Sequence, residues 1–201
     1  MNPADAEANA SQDQVLMAIL RASALWSDIL DRACRVSLKS WVVGGGAVAQ
    51  TVWNHLHGFP DRHGLRDIDI AYFDSGDLSE KGEESVILDM AALYGDLGIE
   101  LDVKNQARVH LWYERRFGRP IFPYRSLDDA IATWPTTSTA VALAPDAGGS
   151  IRVIAPFGLD DLLSGIVRPN KRQITESVYE AKIVRWRTIW PQLVIMSWSD
   201  S

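Results

Sequence analysis

Cysteine is almost missing from this chain of 201 residues, in which Cys34 is the only one. A single thiol excludes an intramolecular disulfide and any zinc site built from paired cysteines, and it suits a reducing compartment. Long hydrophobic runs are missing too, since no stretch approaches the roughly 18 apolar residues of a membrane span. The first residues also lack the basic and apolar regions of a signal peptide. These absences predict a cytoplasmic protein without a membrane partner.

Positive charge is scarce as well, because 20 Lys and Arg residues face 26 Asp and Glu residues, giving a formal net charge of −6. Binding to duplex nucleic acid usually needs a basic footprint, so we expect no duplex DNA partner, although a local basic patch stays possible. The only dense basic segment is predicted near the C-terminus. We interpret it as a solvated helix face rather than a grip on RNA or a triphosphate; it contains Lys171, Arg172, Lys182, Arg185 and Arg187.

The length and composition indicate a single folded unit. The chain is 47% hydrophobic and 23% charged, which is typical of a globular protein, and 201 residues are too few for two full domains. The first dozen residues are small and polar. We therefore expect a disordered N-terminus over residues 1–12 and one domain over residues 13–201.

Hydrophobic periodicity predicts helices at both ends of the chain, with shorter helices and strands between them. One N-terminal helix is predicted from Gln14 to about Leu38. A C-terminal helix is predicted over residues 171–190, with a buried stripe comprising Ile174, Val178, Ala181, Val184 and Ile189. Residues 138–156 form two alternating runs around Pro-Asp-Ala-Gly-Gly, which predicts a hairpin, and a helix is predicted over 157–167. The fold class is therefore α/β (α+β), a small mixed sheet flanked by helices, with the terminal helices packed around it.

Two aspartates interrupt an otherwise apolar strand that is predicted near residue 70. Strand alternation places Asp67 and Asp69 on one face, and Ile68 and Ile70 on the other. Two carboxylates about 4 Å apart repel each other by roughly 4 kcal/mol at an effective dielectric constant near 20. A divalent cation removes this conflict, and Mg²⁺ is typically held by one or two carboxylates plus substrate phosphates. The pair therefore predicts a site for Mg²⁺ or Mn²⁺.

Two further features extend this site. Asp102 lies on the polar face of the next predicted strand and completes a three-carboxylate cluster if the two strands are neighbours. Such a cluster can hold two ions, one activating an attacking hydroxyl and one holding a triphosphate. Gly44 and Gly45 end a strand and open a helix, where backbone N–H groups and the positive helix end favour phosphate.

These motifs resemble the nucleotidyltransferase fold of the DNA polymerase beta superfamily, on the strength of VVGGGAV, RDIDIAYFD and LDVKN. Longer stretches resemble more closely a group of small, largely uncharacterised bacterial proteins assigned to that superfamily; these stretches are VKNQARVHLWY, YRSLDDAIATWPTTSTAVAL and APFGLDDLLSGIVRPN. One departure is a third glycine, Gly46, which could loosen the start of the following helix.

The resemblance implies that Asp67 and Asp69 bind both metal ions, and that Asp102 binds the catalytic ion and accepts the attacking proton. It also implies that Gly44 and Gly45 cradle the triphosphate. The reaction would transfer a nucleoside monophosphate from an NTP such as ATP to a hydroxyl, with pyrophosphate leaving. The acceptor stays open between a small molecule, a protein and an RNA end. The alternative is a catalytically inactive nucleotide-binding or regulatory module with the same fold.

Three more residues are candidates for nucleotide binding. Arg108 follows the third predicted strand and could reach the ligand, although a structural role is equally open. Thr136 and Thr137 could line a base pocket or merely cap a strand. A zinc site is disfavoured because no cysteine or carboxylate at ligand spacing completes the histidine set, which is His55, His57 and His63.

Overall fold

The computed structural model describes residues 3–146 and 148–199, and these residues contain eight α-helices and two β-sheets. The helices are α1 (Pro3–Ala22), α2 (Ala24–Arg32), α3 (Gly46–His57), α4 (Glu80–Tyr94), α5 (Val109–Phe117), α6 (Leu127–Ile131), α7 (Asp160–Leu163) and α8 (Glu176–Ile189). The strands are β1 (Trp41–Gly44), β2 (Asp67–Tyr72), β3 (Glu100–Asn105), β4 (Ala142–Pro145), β5 (Ile151–Ile154), β6 (Ile166–Val167) and β7 (Val194–Ile195). Short 3-10 helices occupy Ala33–Arg35, Gly95–Leu97 and Gln106–Arg108.

The main sheet has the strand order β3-β2-β1-β4-β5. Strands β2 and β3 run parallel, whereas every other neighbouring pair is antiparallel, so the sheet is mixed as the sequence predicts. The predicted hairpin is confirmed as the antiparallel pair β4 and β5. Strands β6 and β7 form a separate parallel pair. No helix within the described ranges combines the length and apolar character that crossing a membrane requires.

The two faces of the main sheet are covered unequally. One face packs into the large core, to which β1 contributes Val43 and β2 contributes Ile70. The other face carries a smaller apolar cluster under α6, made of Val42, Ala71, Leu127, Ile131, Ala142 and Ile154. Asp67 and Asp69 share this second face with Ala71, because alternate residues of a strand point the same way. The carboxylates therefore lie beside the smaller cluster and outside the main core.

Helix α8 packs against α3 through tryptophans. The Trp53 ring meets the rings of Trp186 and Trp190 edge-on, with centroids 5.3 Å apart in both pairs, and Trp190 Nε1 donates a 2.7 Å hydrogen bond to Asn54 Oδ1. The predicted buried stripe of this helix is wrong, because Val184 is 62% exposed. The buried positions are instead Tyr179, Ile183, Trp186 and Trp190. The helix is thus rotated about its axis relative to the prediction, because large aromatic rings bury more area than the small aliphatic residues on the expected face.

The N-terminal region also differs from the prediction. A single helix is predicted from Gln14, but Ser23 divides it, since its side-chain oxygen accepts a 3.2 Å hydrogen bond from the Trp26 N–H and caps α2. Serine favours such caps over helix interiors. Met1 and Asn2, at the start of the segment for which disorder is expected, lie outside the described residues. The rest of that segment is helical from Pro3.

The helix predicted over 157–167 is shorter in the structure. Only Asp160–Leu163 forms α7, because Gly165 adopts a positive φ of 66° and breaks the helix. The chain then enters β6, which pairs with β7, and the Val167 carbonyl oxygen of β6 lies 3.1 Å from the Tyr179 hydroxyl in the first turn of α8.

Candidate active site

The sheet register places Asp69 at the centre of a row of site residues. Asp69 lies opposite Gly44 of antiparallel β1 and opposite Asp102 of parallel β3. Asp67 precedes it by two residues on the same strand and therefore lies on the same face. From the sequence, Asp102 is expected to join Asp67 and Asp69 if β2 and β3 are neighbours, and the two strands are indeed paired.

The Asp69 carboxyl is electrostatically unfavourable as an anion. The pKa of Asp69 is raised to about 7, first by burial and then by the negative charges of Asp67 and Asp102. Lys182 and a hydrogen bond from the Gly46 N–H act in the opposite direction. Since the raised pKa remains despite these two groups, the carboxylates lack positive charge, and a bound cation would relieve the deficit.

The glycine turn is shaped by close approaches that exclude side chains. Gly45 has a positive φ of 67° and caps α3, and a Cβ atom there would lie 2.6 Å from Asp69 Oδ2. A Cβ on Gly44 would lie 2.5 Å from the Val141 carbonyl oxygen. The Gly45 N–H already donates a 2.9 Å hydrogen bond to that same oxygen. The lack of side chains at Gly44 and Gly45 thus lets β4 and the Asp69 carboxylate pack directly against the turn, and the N–H groups without a partner inside the helix belong to the first turn of α3.

The third glycine does not prevent α3 from starting. Gly46 is the first residue of the helix, and its N–H bonds the Asp69 carboxylate. Ala47 and Val48 come next, and N–H groups in the first turn of a helix have no carbonyl partner within it. Gln50, one turn further on, carries a buried side-chain oxygen that no hydrogen-bond donor of the described residues reaches. No motif in the sequence pointed to Gln50.

Helix α8 brings two cations to the carboxylates. Burial lowers the pKa of Lys182, whereas Asp69 and Asp67 act to raise it. Burial also lowers the pKa of Arg185, which Asp67 acts to raise, and Arg185 donates a 2.9 Å hydrogen bond to the Gly64 carbonyl. Both side chains are half-buried. Their interpretation as a solvated face is therefore wrong, and the cause is the misplaced stripe of α8.

Asp102 has a cationic partner of its own. Its carboxylate forms an ion pair with Lys104, which lies two residues along β3 on the same face. Within residues 3–146 and 148–199, no group of three or more His, Cys, Asp or Glu side chains is arranged to hold a metal ion. The donor chemistry nevertheless fits Mg²⁺ or Mn²⁺, because the three carboxylates share one face and Lys104 occupies the place of a cation beside Asp102. The ion pair with Lys104 would have to open for Asp102 to become a ligand.

Arg108 lies away from the carboxylates, beyond the opposite end of β3. Its guanidinium forms an ion pair with Glu83 and donates a 2.9 Å hydrogen bond to the Leu78 carbonyl. Glu83 also accepts a 2.7 Å hydrogen bond from the Asn105 N–H. These contacts tie α4 to the end of β3, so Arg108 is not part of the nucleotide site proposed below.

Thr136 and Thr137 lie in the loop before β4, whose Val141 carbonyl accepts the Gly45 N–H. Thr136 is fully buried, with its hydroxyl 2.7 Å from Thr139 Oγ1. The Thr137 hydroxyl donates a 2.6 Å hydrogen bond to Asp161. Both hydroxyls form hydrogen bonds within the protein, and these bonds stabilise the loop beside the glycine turn.

The histidines considered for zinc are separated from this site. His63 stacks on Phe59 with ring centroids 4.3 Å apart, and its Nε2 lies 3.2 Å from the Ile189 carbonyl oxygen. These contacts fix the loop before β2 against the end of α8. Since Arg185 binds Gly64 in the same loop, the loop helps to hold α8 beside the carboxylates.

A mixed sheet with a glycine turn at a helix start and aspartates on two adjacent parallel strands is the arrangement expected of a nucleotidyltransferase. The family model described as "Nucleotidyltransferase" matches residues 31–195, and the chain therefore belongs to this nucleotidyltransferase family. The structure is also similar to a solved structure described as "The NMR structure of the protein reveals a CCA-adding enzyme head domain". The TM-score is 0.73 at 23% identity, over 92% of this chain and 95% of the other. Comparison with curated proteins gives no match. The expected family and fold class are confirmed.

Proposed function

We propose that the protein transfers a nucleoside monophosphate from an NTP to a hydroxyl acceptor and that the transfer depends on a divalent metal ion. The observation that carries this proposal is the position of Asp69, between the glycine turn on one side and Asp102 on the other. A carboxylate with a raised pKa at such a position is typical of a functional site. Membership of a nucleotidyltransferase family supports the reaction class.

In this proposal Asp67, Asp69 and Asp102 hold Mg²⁺ or Mn²⁺. The bound ion supplies charge neutralisation for the carboxylates and for the phosphates of the nucleotide. Lys104 would release Asp102 in the loaded protein. An exposed ion pair of this kind contributes only about 0–1 kcal/mol, so its opening costs little.

The triphosphate would lie against the first turn of α3. A side chain at Gly44 or Gly45 would displace β4 or Asp69 from the turn, and the N–H groups of Ala47 and Val48 together with the positive helix end favour the charge of the triphosphate. Lys182 and Arg185 approach the same carboxylates from α8. We assign these two cations to the phosphates, because they are half-buried and lie where negative charge would increase on nucleotide binding.

The chemical step follows from these positions. The acceptor hydroxyl oxygen attacks the α-phosphorus, the bond from that phosphorus to the bridging oxygen of the β-phosphate breaks, and pyrophosphate leaves. Asp102 accepts the hydroxyl proton as a general base. Positioning of the reactants and stabilisation of the developing charge would supply most of the rate.

Calorimetric titration with each NTP, in Mg²⁺ and in EDTA, tests the binding part of this proposal. We expect affinity that requires the metal and is lost in Asp69→Asn, whereas the control Asp89→Asn, an exposed carboxylate on α4, binds as the parent does. Pyrophosphate release measured in parallel separates turnover from binding. NTP binding without pyrophosphate release under any acceptor condition would favour the inactive binding module instead.

We place this reaction in the cytoplasm. The single thiol, Cys34, is free and exposed, which suits a reducing compartment. ATP and other NTPs are available there as substrates.

A further inference from the structure

An exposed surface of arginines and phenylalanines follows β3, apart from the carboxylates. It comprises Arg115, Arg116 and Phe117 at the end of α5, and Arg119 and Phe122 in the loop toward α6; Arg119 is half-buried and the other four are exposed. Phe122 is 93% exposed and Phe117 is 39% exposed. We call this set the Arg-Phe surface.

The arginines of this surface lack acidic partners. Within the described part of the chain, Arg115, Arg116 and Arg119 form no ion pair, although Glu114 is exposed on the same helix. Six other arginines do pair with carboxylates: Arg21, Arg32, Arg108, Arg125, Arg152 and Arg168. A concentration of unpaired positive charge in a chain of net charge −6 marks this surface as a site for an anionic partner.

The loop that carries Phe122 is held in place. Pro120 and Pro123 flank the phenylalanine and restrict the backbone on both sides. Tyr124 follows, and its hydroxyl donates a 2.8 Å hydrogen bond to the Gln173 side chain. Burial of a phenylalanine stabilises a folded protein, but the Phe122 ring is left exposed on an anchored loop. A fixed, exposed ring loses little conformational entropy when a flat partner stacks on it.

The Arg-Phe surface is anchored to elements that border the carboxylates. Tyr113 of α5 donates a 3.3 Å hydrogen bond to the Gln173 carbonyl, just before the helix that carries Lys182. The Tyr124 hydroxyl lies 2.9 Å from the hydroxyl of Thr133, which follows α6. Since α6 covers the same sheet face on which the aspartates lie, the loop that carries Phe122 is joined through Tyr124 to an element of that face.

The Phe117 ring already contacts Tyr113, with centroids 4.5 Å apart, and lies under the Arg116 guanidinium, 5.6 Å from its centroid. We propose that the Arg-Phe surface binds a single strand of nucleic acid, with the arginines on its phosphates and Phe122 stacked on its bases. Unpaired bases offer free faces to an aromatic ring, whereas the bases of a duplex are already stacked. Identification of this strand as the nucleotidyl acceptor rests on the function proposed above, but the binding itself does not. A protein partner or a second copy of this chain is the competing occupant.

Fluorescence anisotropy with labelled oligonucleotides of 12 nucleotides tests the binding. Single-stranded RNA, single-stranded DNA and duplex DNA are titrated at low and at physiological salt, without NTP. We expect tighter binding of single strands than of duplex. The logarithm of the binding constant falls linearly with the logarithm of the salt concentration, with a slope of roughly 0.7 per phosphate contact for a single strand. Replacing Arg115, Arg116 and Arg119 together by Ala should therefore reduce the magnitude of this slope by about 2. Phe122→Ala should weaken binding about 5- to 150-fold.

Two control variants match these changes on other surfaces. Replacing Arg35, Lys39 and Lys81 together by Ala removes three exposed cations elsewhere, and Leu88→Ala removes a side chain that is 65% exposed on α4. Both controls should bind the strand as the parent does. Equal losses in the controls, equally tight duplex binding, or no single-strand binding at low salt would overturn the proposal. Self-association that Phe122→Ala abolishes, without strand binding, would assign the surface to a second copy.

The same titration separates this inference from the catalytic proposal. Asp69→Asn should bind the strand with parental affinity even though its NTP turnover is lost. If strand binding is found and pyrophosphate release is not, the surface stands and the catalytic proposal fails. If turnover is found and no single strand binds, the acceptor is of another class and the surface assignment fails.

Discussion

Asp69 and Asp102 lie directly opposite each other on adjacent parallel strands, and the Asp69 pKa is raised to about 7 by burial first and by its acidic neighbours next. Carboxylates placed in this way destabilise the metal-free protein when they are ionised. Their presence on one face of the sheet supports the metal site proposed above.

The first prediction concerns stability as a function of pH in EDTA. The folded-state pKa of Asp69 lies above its ordinary value of 3.8, so its contribution to stability is fully present below about pH 4 and is lost as pH rises through 7. We expect Asp69→Asn to remove this loss and to match or exceed the parent in Tm at pH 8. Each 1 kcal/mol gained corresponds to about 2–4 °C in a domain of this size. Thermal melts at pH 5 and pH 8 measure the difference, and a large destabilisation at pH 8 would make the carboxylate structural.

The second prediction compares Gly45→Ala with Gly58→Ala. Both glycines have a positive φ, 67° and 70°. Gly58, with ψ 26°, lies in the left-handed helical region, where Ala costs roughly 1–2 kcal/mol. Gly45, with ψ −136°, lies outside that region, in backbone space that non-glycine residues avoid. At Gly58 nothing lies within 4 Å of the added Cβ, whereas at Gly45 it meets Asp69 Oδ2 at 2.6 Å. We expect urea denaturation to show a larger loss for Gly45→Ala, and NTP titration to show weakened binding for that variant alone. If the two variants lose the same stability and the same NTP affinity, the glycine turn has no specific role in NTP binding.

The third prediction concerns Lys182→Met. This variant keeps the aliphatic volume and removes the cation that lowers the pKa of Asp69. We expect a rise in the Asp69 pKa, observed by NMR, and an affinity for NTP that falls at least fivefold while affinity for the nucleoside is unchanged. Arg187→Met, at an exposed position of the same helix, is the control. A parallel loss of nucleoside and NTP affinity would indicate a misfolded site and not a lost phosphate contact.

The fourth prediction separates Arg108 from the nucleotide. Its side chain and that of Glu83 are only 7% and 14% exposed, so Arg108→Met leaves a nearly buried carboxylate without its partner, at a cost of about 3 kcal/mol. Arg125→Met removes a pair in which the arginine is 87% exposed and should cost about 0–1 kcal/mol. NTP affinity at a temperature where Arg108→Met is folded should equal that of the parent. If Arg108→Met lowers NTP affinity while the protein remains folded, Arg108 contacts the nucleotide and the prediction is wrong.

Local patterns in the sequence were sufficient to predict the centre of the site. Strand alternation gives the shared face of Asp67 and Asp69, and the glycines mark the strand-to-helix turn, because both signals depend only on neighbours along the chain. The pairing of β3 with β2 brings Asp102 beside Asp69 and is a long-range contact. The sequence could not establish this pairing, so the role of Asp102 was predicted only on the assumption that the two strands are neighbours.

The remaining parts of the site depend on packing between distant segments. Lys182 approaches Asp69 because Trp186 of α8 and Trp190, the residue after it ends, pack on Trp53. The periodicity of aliphatic residues had predicted a different buried face for that helix. Arg108 pairs with Glu83, 25 residues earlier, and only the folded structure reveals that partner. Side chains whose roles depend on such contacts cannot be assigned from spacing alone.

Transfer of label from NTP tests the central claim most directly. The protein is incubated with Mg²⁺, a cell extract and NTPs labelled either at the α-phosphate or at the γ-phosphate, beside Asp69→Asn and Asp89→Asn. The account predicts that α-label enters an acceptor and γ-label leaves as pyrophosphate, with both events lost in Asp69→Asn and kept in Asp89→Asn. Transfer of γ-label to an acceptor, or no transfer of α-label from any of the four NTPs, would contradict it.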